Sequence, residues 1–136
     1  MQKSLIVTAT LAAALLSGCG MFQKSTDSAA NTNPSTPTQT ADGVLIGPDG
    51  RTLYVFSRDV AGSGKSNCVD TCAANWPALG VAATAKPIGD YTIITRAGGQ
   101  QQWAYKGMPL YYFVKDTKAG DRSGDGVGGV WKVARP

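Results

Sequence analysis

Cys68 and Cys72 stand four residues apart, close enough on one helical turn for their side chains to meet. In an oxidising compartment the expected outcome is a disulfide, since the Cα separation of such a pair lies near the upper end of what the bond can bridge. The sharper alternative is a soft-metal site in which two thiolates hold Cu(I), with Met21 or Met108 adding a thioether. A second set of candidates is Tyr54 with Asp59 and Tyr111 with Asp116, because Tyr and Asp can move protons once burial has shifted their pKa values. The same residues fit a structural role, the Asp accepting backbone N–H groups in the turn after a strand and the aromatics filling a core. A third candidate is Asp121-Arg122-Ser123-Gly124-Asp125-Gly126, which opens like a calcium-binding loop. The twelfth position, where such a loop needs a bidentate acid, is Lys132, so the segment reads as a Gly-rich connector.

The missing residue types narrow the chemistry further. The 136 residues include no His, and all nine acids are Asp. Ser/His/Asp and Cys/His catalysis, the H-E-x-x-H metalloprotease helix and imidazole zinc sites are thereby excluded. A net charge of +4 scattered along the chain gives no basic stripe for nucleic acid.

The elements that must position these residues come from a repeat. Leu53-Tyr54-Val55-Phe56-Ser57-Arg58-Asp59 recurs 57 residues later as Leu110-Tyr111-Tyr112-Phe113-Val114-Lys115-Asp116, with Gly50 and Gly107 at the same offset and Trp76 and Trp131 at 55. Tyr54 and Phe56, like Tyr111 and Phe113, are two apart and share one face of a strand. Hairpins are expected over Val44–Ser57 around Asp49-Gly50 and over Gln102–Val114 around Lys106-Gly107. Further strands are expected at Tyr91–Thr95 and Val130–Val133, with one short helical turn from Val69 to Asn75 ended by Pro77. The fold class is therefore all-β or β-rich, a single small antiparallel domain built from an internal duplication with pseudo-twofold symmetry. Trp76, Trp103 and Trp131 are expected in its core, unless some cluster on a surface that binds carbohydrate or protein.

Ahead of this domain, Lys3 precedes the apolar run Leu5–Leu16 and the small residues Ser17 and Gly18, the pattern of a secretory signal too short to span a membrane. Leu16-Ser17-Gly18-Cys19 resembles the bacterial lipobox, which implies cleavage after residue 18 and lipidation of Cys19. Residues 19–41, rich in Ser, Thr, Asn, Gln and Ala, are expected as a flexible tether, and 42–136 as the folded domain.

With Tyr54, Phe56 and Asp59 in one copy and Tyr111, Phe113 and Asp116 in the other, the chain resembles the bacterial lipoproteins with a Yx(FWY)xxD motif, also described as secreted repeats of unknown function. Cys68-x-x-x-Cys72 with Trp76-Pro77, and Gly120-Asp121 through Val130-Trp131, are similar to that family as well. The resemblance implies no activity. The expectation is a lipid-anchored cell-envelope protein, in the outer membrane if the host has one, that acts as a non-catalytic binding or structural module. It needs no cofactor, and its partners are the membrane, through the anchor, and an unidentified envelope protein or glycan. The alternative is a periplasmic copper or redox accessory protein using Cys68 and Cys72.

Overall fold

The computed structural model describes residues 36–136, so the signal segment, Cys19 and most of the tether lie outside the described residues. Seven short strands, one α-helical turn and one 3-10 turn follow in chain order: β1 (Gln39–Ala41), β2 (Val44–Ile46), β3 (Tyr54–Phe56), α1 (Thr71–Asn75), β4 (Tyr91–Thr95), β5 (Gln101–Tyr105), β6 (Met108–Pro109), the 3-10 turn (Val127–Gly129) and β7 (Trp131–Val133). All pairing between the strands is antiparallel: β1 with β2, β3 with β7, β4 with β5, and β5 with β6. Among the described residues no helix is long and apolar enough to cross a membrane.

Two tight turns set the registers. Asp42 and Gly43 take φ of 50° and 73° and join β1 to β2 with Ala41 opposite Val44. Lys106 and Gly107 take 48° and 82° and join β5 to β6 with Tyr105 opposite Met108. Two successive positive φ values match the right-handed twist of the flanking strands, which explains the glycine at each second position. The expected tether to Ala41 is thus too long at its end. Gln39–Ala41 is already a strand, and the buried Thr38 hydroxyl is hydrogen-bonded to that of Tyr91. Asp49-Gly50 serves a wider connection, with Gly47 N donating to Arg51 O and Gly50 N to Gly47 O.

The duplication is visible bond by bond. Tyr54 N donates to Tyr111 O and Tyr111 N to Tyr54 O, at 2.8 and 3.0 Å, which places the pseudo-twofold axis between these two residues. Around it the bonds repeat: Ala134 N to Leu53 O matches Leu79 N to Leu110 O, and Ser57 N to Val130 O matches Val114 N to Asn75 O. Leu45 bridges Leu53 and Ala134 as Trp103 bridges Leu110 and Leu79.

Alternation along Leu53–Phe56 and along Leu110–Phe113, where the expected strand is reduced to β6 and isolated bridges at Tyr111, divides the apolar residues into two cores. Tyr54, Phe56, Trp76, Tyr111, Phe113 and Trp131 pack in one; Leu53, Leu79, Trp103, Leu110 and Tyr112 pack in the other. Val55, between Tyr54 and Phe56, faces the second core.

Candidate functional site

The motif residues converge on the axis and cross it. Tyr54 Oη donates to Asp116 Oδ2 at 2.5 Å, and Tyr111 Oη donates to Asp59 Oδ2 at 2.6 Å, so each tyrosine serves the aspartate of the other copy. All four residues are buried. The second carboxylate oxygen of each is also occupied. Asp59 Oδ1 accepts Asn67 N at 2.6 Å, and Asp116 Oδ1 accepts Ser123 N at 2.9 Å. Each aspartate therefore closes the loop that follows its own strand while gripping the opposite copy. The sequence suggested the first role, and nothing in it signalled the exchange.

The aromatic residues obey the same crossing. Phe56, Trp131, Trp76 and Phe113 form a continuous stack, with centroid separations of 4.4, 3.7 and 4.2 Å. Phe56 thus lies on the tryptophan of the second copy and Phe113 on that of the first. Tyr54 and Tyr111 stand edge-on to Trp76 and Trp131 at 5.4 and 5.1 Å, an arrangement favoured by the ring quadrupoles. Trp76, Trp103 and Trp131 are all buried, so the surface tryptophan cluster considered above does not form.

Burial sets the electrostatics. It lifts the Tyr54 and Tyr111 hydroxyls well above the ordinary phenol range, and the bond each makes to a carboxylate adds to the shift. Burial also raises Asp59, against the opposing pull of the Tyr111 hydroxyl and the Asn67 amide. A protonated phenol with a committed acceptor is a poor base and a poor acid near neutral pH.

Cys68 and Cys72 form a disulfide with Cα atoms 5.2 Å apart. Neither sulfur is then a free thiolate, which removes the ligand pair on which the copper alternative rested. Among the described residues no group of three His, Cys, Asp or Glu is placed to hold a metal ion. In the Asp121–Gly126 loop the two carboxylates serve separate backbones: Asp121 Oδ2 accepts Thr117 N and Lys118 N, and Asp125 Oδ1 accepts Val133 N.

The side chain that sequence reading missed is Arg96. It follows β4 and reaches the loop after the first motif, where Nη1 donates to Ser66 Oγ at 3.0 Å and Gln102 Oε1 at 2.7 Å, and Nη2 donates to Cys68 O at 2.5 Å. Ser66 Oγ is in turn 2.7 Å from Tyr111 Oη. One network therefore runs from the partly exposed guanidinium to the buried Tyr111–Asp59 pair. Arg96, Ser66 and Asp70 also line a cleft of about 230 Å³. A larger groove of about 470 Å³ runs between Thr36–Gln39 and Leu79–Ala85 over Trp103.

A family model described as a secreted repeat of unknown function matches the chain twice, over residues 36–80 and 92–135, more than half of its length. The two matches coincide with the two halves related by the axis, and the first begins ahead of β1. No curated protein and no solved structure matches the chain.

Proposed function

The chain belongs to the family of secreted repeats of unknown function, and from that premise we propose that it is a lipid-anchored envelope module that binds or organises and does not catalyse. The observation that carries the reading is the crossed pair Tyr54–Asp116 and Tyr111–Asp59. The motif holds the buried tyrosine-aspartate pairs considered for acid/base work, and each of their hydroxyl and carboxylate groups is committed to holding the two copies together. Buried groups satisfied in this way specify a unique packing. Function then falls to the surface, and the Cys19 anchor supplies the location. Several acyl chains on one residue give the durable attachment that a single chain does not.

Fractionation of cells carrying the full-length chain tests this. The expected result is a membrane-bound product whose N-terminal residue is Cys19 with the added mass of its acyl chains, and a Cys19→Ala chain that leaves the membrane fraction. Wild-type protein recovered in the soluble fraction with an unmodified Cys19 thiol would overturn the anchored reading.

A further inference from the structure

A duplication separates what the fold needs from what one copy alone carries. The crossed Tyr–Asp bonds, the stacked rings and the turn glycines occur twice; the Cys68–Cys72 disulfide and the Arg96 network occur once. The strand pair of the first copy is closed by two residues, Asp42-Gly43, whereas the corresponding pair β4–β5 is closed by the five residues 96–100, and Arg96 opens that longer turn. Gln102, whose side chain receives Arg96 and donates to Leu110 O at 2.7 Å, is fully buried, an amide placed on the strand to hold the guanidinium. Arg96 and Ser66 of that network line the 230 Å³ cleft together with Val69 and Asp70, which lie inside the loop that the disulfide closes.

The charges of that cleft are unmatched. Arg96 spends three of its five donors on neutral acceptors, and among the described residues no carboxylate lies within 4.0 Å of it. Asp59, whose carboxyl feels the Arg96 charge, has both oxygens engaged by Tyr111 and Asn67. Asp70 lines the same cleft, is exposed, and makes no side-chain hydrogen bond among the described residues. It stands just ahead of α1 with φ 54°, and its carboxylate makes no ion pair with the guanidinium across the cleft. Val69, Ala73 and Ala97 supply the apolar part of the lining. The volume lies below the roughly 300–1,000 Å³ of sites for drug-sized ligands, which selects a molecule of few atoms.

We propose that this cleft binds a small zwitterion of the α-amino-acid class, its carboxylate on the free donors of Arg96 and its ammonium group on Asp70. A planar guanidinium held on its other side is preorganised for a carboxylate, and little ordering remains to be done on binding. Val69, Ala73 and Ala97 leave room for a short apolar side chain of alanine size. The inference deepens the binding-module reading and is independent of Cys19, so its failure leaves the fractionation result untouched.

The test is titration of the processed, full-length protein in detergent with L-alanine and D-alanine, followed by NMR of the Ala97 and Gly98 amides and the Arg96 Nε–H. Acetate and ethylammonium, each carrying one of the two charges, serve as controls. Saturable shifts with either alanine, and binding roughly tenfold or more weaker for the single charges, are expected. Asp70→Asn, on an exposed side chain whose loss leaves the core intact, should weaken alanine binding about tenfold, and Arg96→Gln should abolish it. Three outcomes overturn the proposal: no saturable shift with either enantiomer, acetate binding as tightly as alanine, or Asp70→Asn binding alanine like the wild type.

Discussion

Trp76 and Trp131 lie face to face with ring centroids 3.7 Å apart and planes 6° from parallel, the two equivalent tryptophans of the duplication meeting at its axis. Neither copy could bury its tryptophan alone. Each indole is covered on one face by its equivalent and on the other by a phenylalanine of the opposite copy, so the halves form one cooperative unit.

The crossed hydrogen bonds give the first prediction. Tyr111→Phe keeps the ring against Trp131 and removes only the hydroxyl, leaving a buried carboxylate short of a donor. The expected loss is about 1–3 kcal/mol, seen as a lowered Tm by circular dichroism. Tyr54→Phe should cost a similar amount through Asp116. A double-mutant cycle between Tyr54 and Asp116 should show coupling, whereas one between Tyr54 and Asp59 should show little, since those two share no hydrogen bond. Asp59→Asn and Asp116→Asn variants that keep the wild-type Tm would remove the structural assignment and reopen an acid/base role.

The reach of the sequence can be judged on particular residues. The spacing of 57 places Leu53–Asp59 on Leu110–Asp116, and the expected strand at Tyr91–Thr95 and turn ending at Asn75 match β4 and α1. Period-2 alternation puts Tyr54 and Phe56 on one face but is silent on which aspartate meets which tyrosine; that is fixed by an axis that exists only after folding. β1 was hidden for another reason. Gln39 and Thr40 are exposed on a two-stranded ribbon, so their polar composition looks like tether. Arg96, a charge beside Gly98-Gly99, reads as a solvated turn, and its partners Ser66, Cys68 and Gln102 are distant along the chain or lie across the turn.

Alkaline titration gives the second prediction. Burial raises the folded-state pKa of Tyr54 and Tyr111 and pushes Tyr112 up to about 12, where the charge of Asp49 contributes as well. In the unfolded chain these phenols ionise near 10. The native state therefore holds protons that the unfolded state has lost, and stability that is complete below pH 10 falls as pH rises beyond it. Tyrosinate absorbance in the near ultraviolet should show these three groups ionising together with loss of the folded signal. Reversible ionisation of all tyrosines near pH 10 with the fold intact would contradict the buried pairs.

The disulfide gives the third. A loop closed by residues four apart constrains the unfolded chain modestly, so replacing Cys68 and Cys72 together by Ala should cost roughly 2 kcal/mol in chain entropy, with a further loss where the buried Cys68 side chain packed. Because Cys68 O receives Arg96, the change should reach the Arg96 network before it reaches the axis. The expected sequence on adding a dithiol is a shift of the Arg96 Nε–H resonance while the near-ultraviolet circular dichroism of the stacked tryptophans persists. Simultaneous loss of both signals would show that the disulfide supports the whole domain.

The last prediction uses a place where the pseudo-symmetry fails. Gly50 and Gly107 are equivalent by the 57-residue offset and share φ of 82°, so an alanine at either carries the strain of a left-handed backbone, about 1–2 kcal/mol. Their surroundings differ. A Cβ on Gly50 would meet only the Ala119 methyl, at 3.4 Å, an ordinary contact. A Cβ on Gly107 would lie 2.5 Å from the backbone nitrogen of Gly62, which donates to Gly107 O at 3.0 Å. Backbone held by a hydrogen bond yields far less readily than the end of a side chain, so Gly107→Ala must also displace the Gly62 loop, at a further cost of about 1–3 kcal/mol. Thermal denaturation should rank Gly107→Ala well below Gly50→Ala, and equal Tm losses would mean that the 60–67 loop is free to move away from the β5–β6 turn.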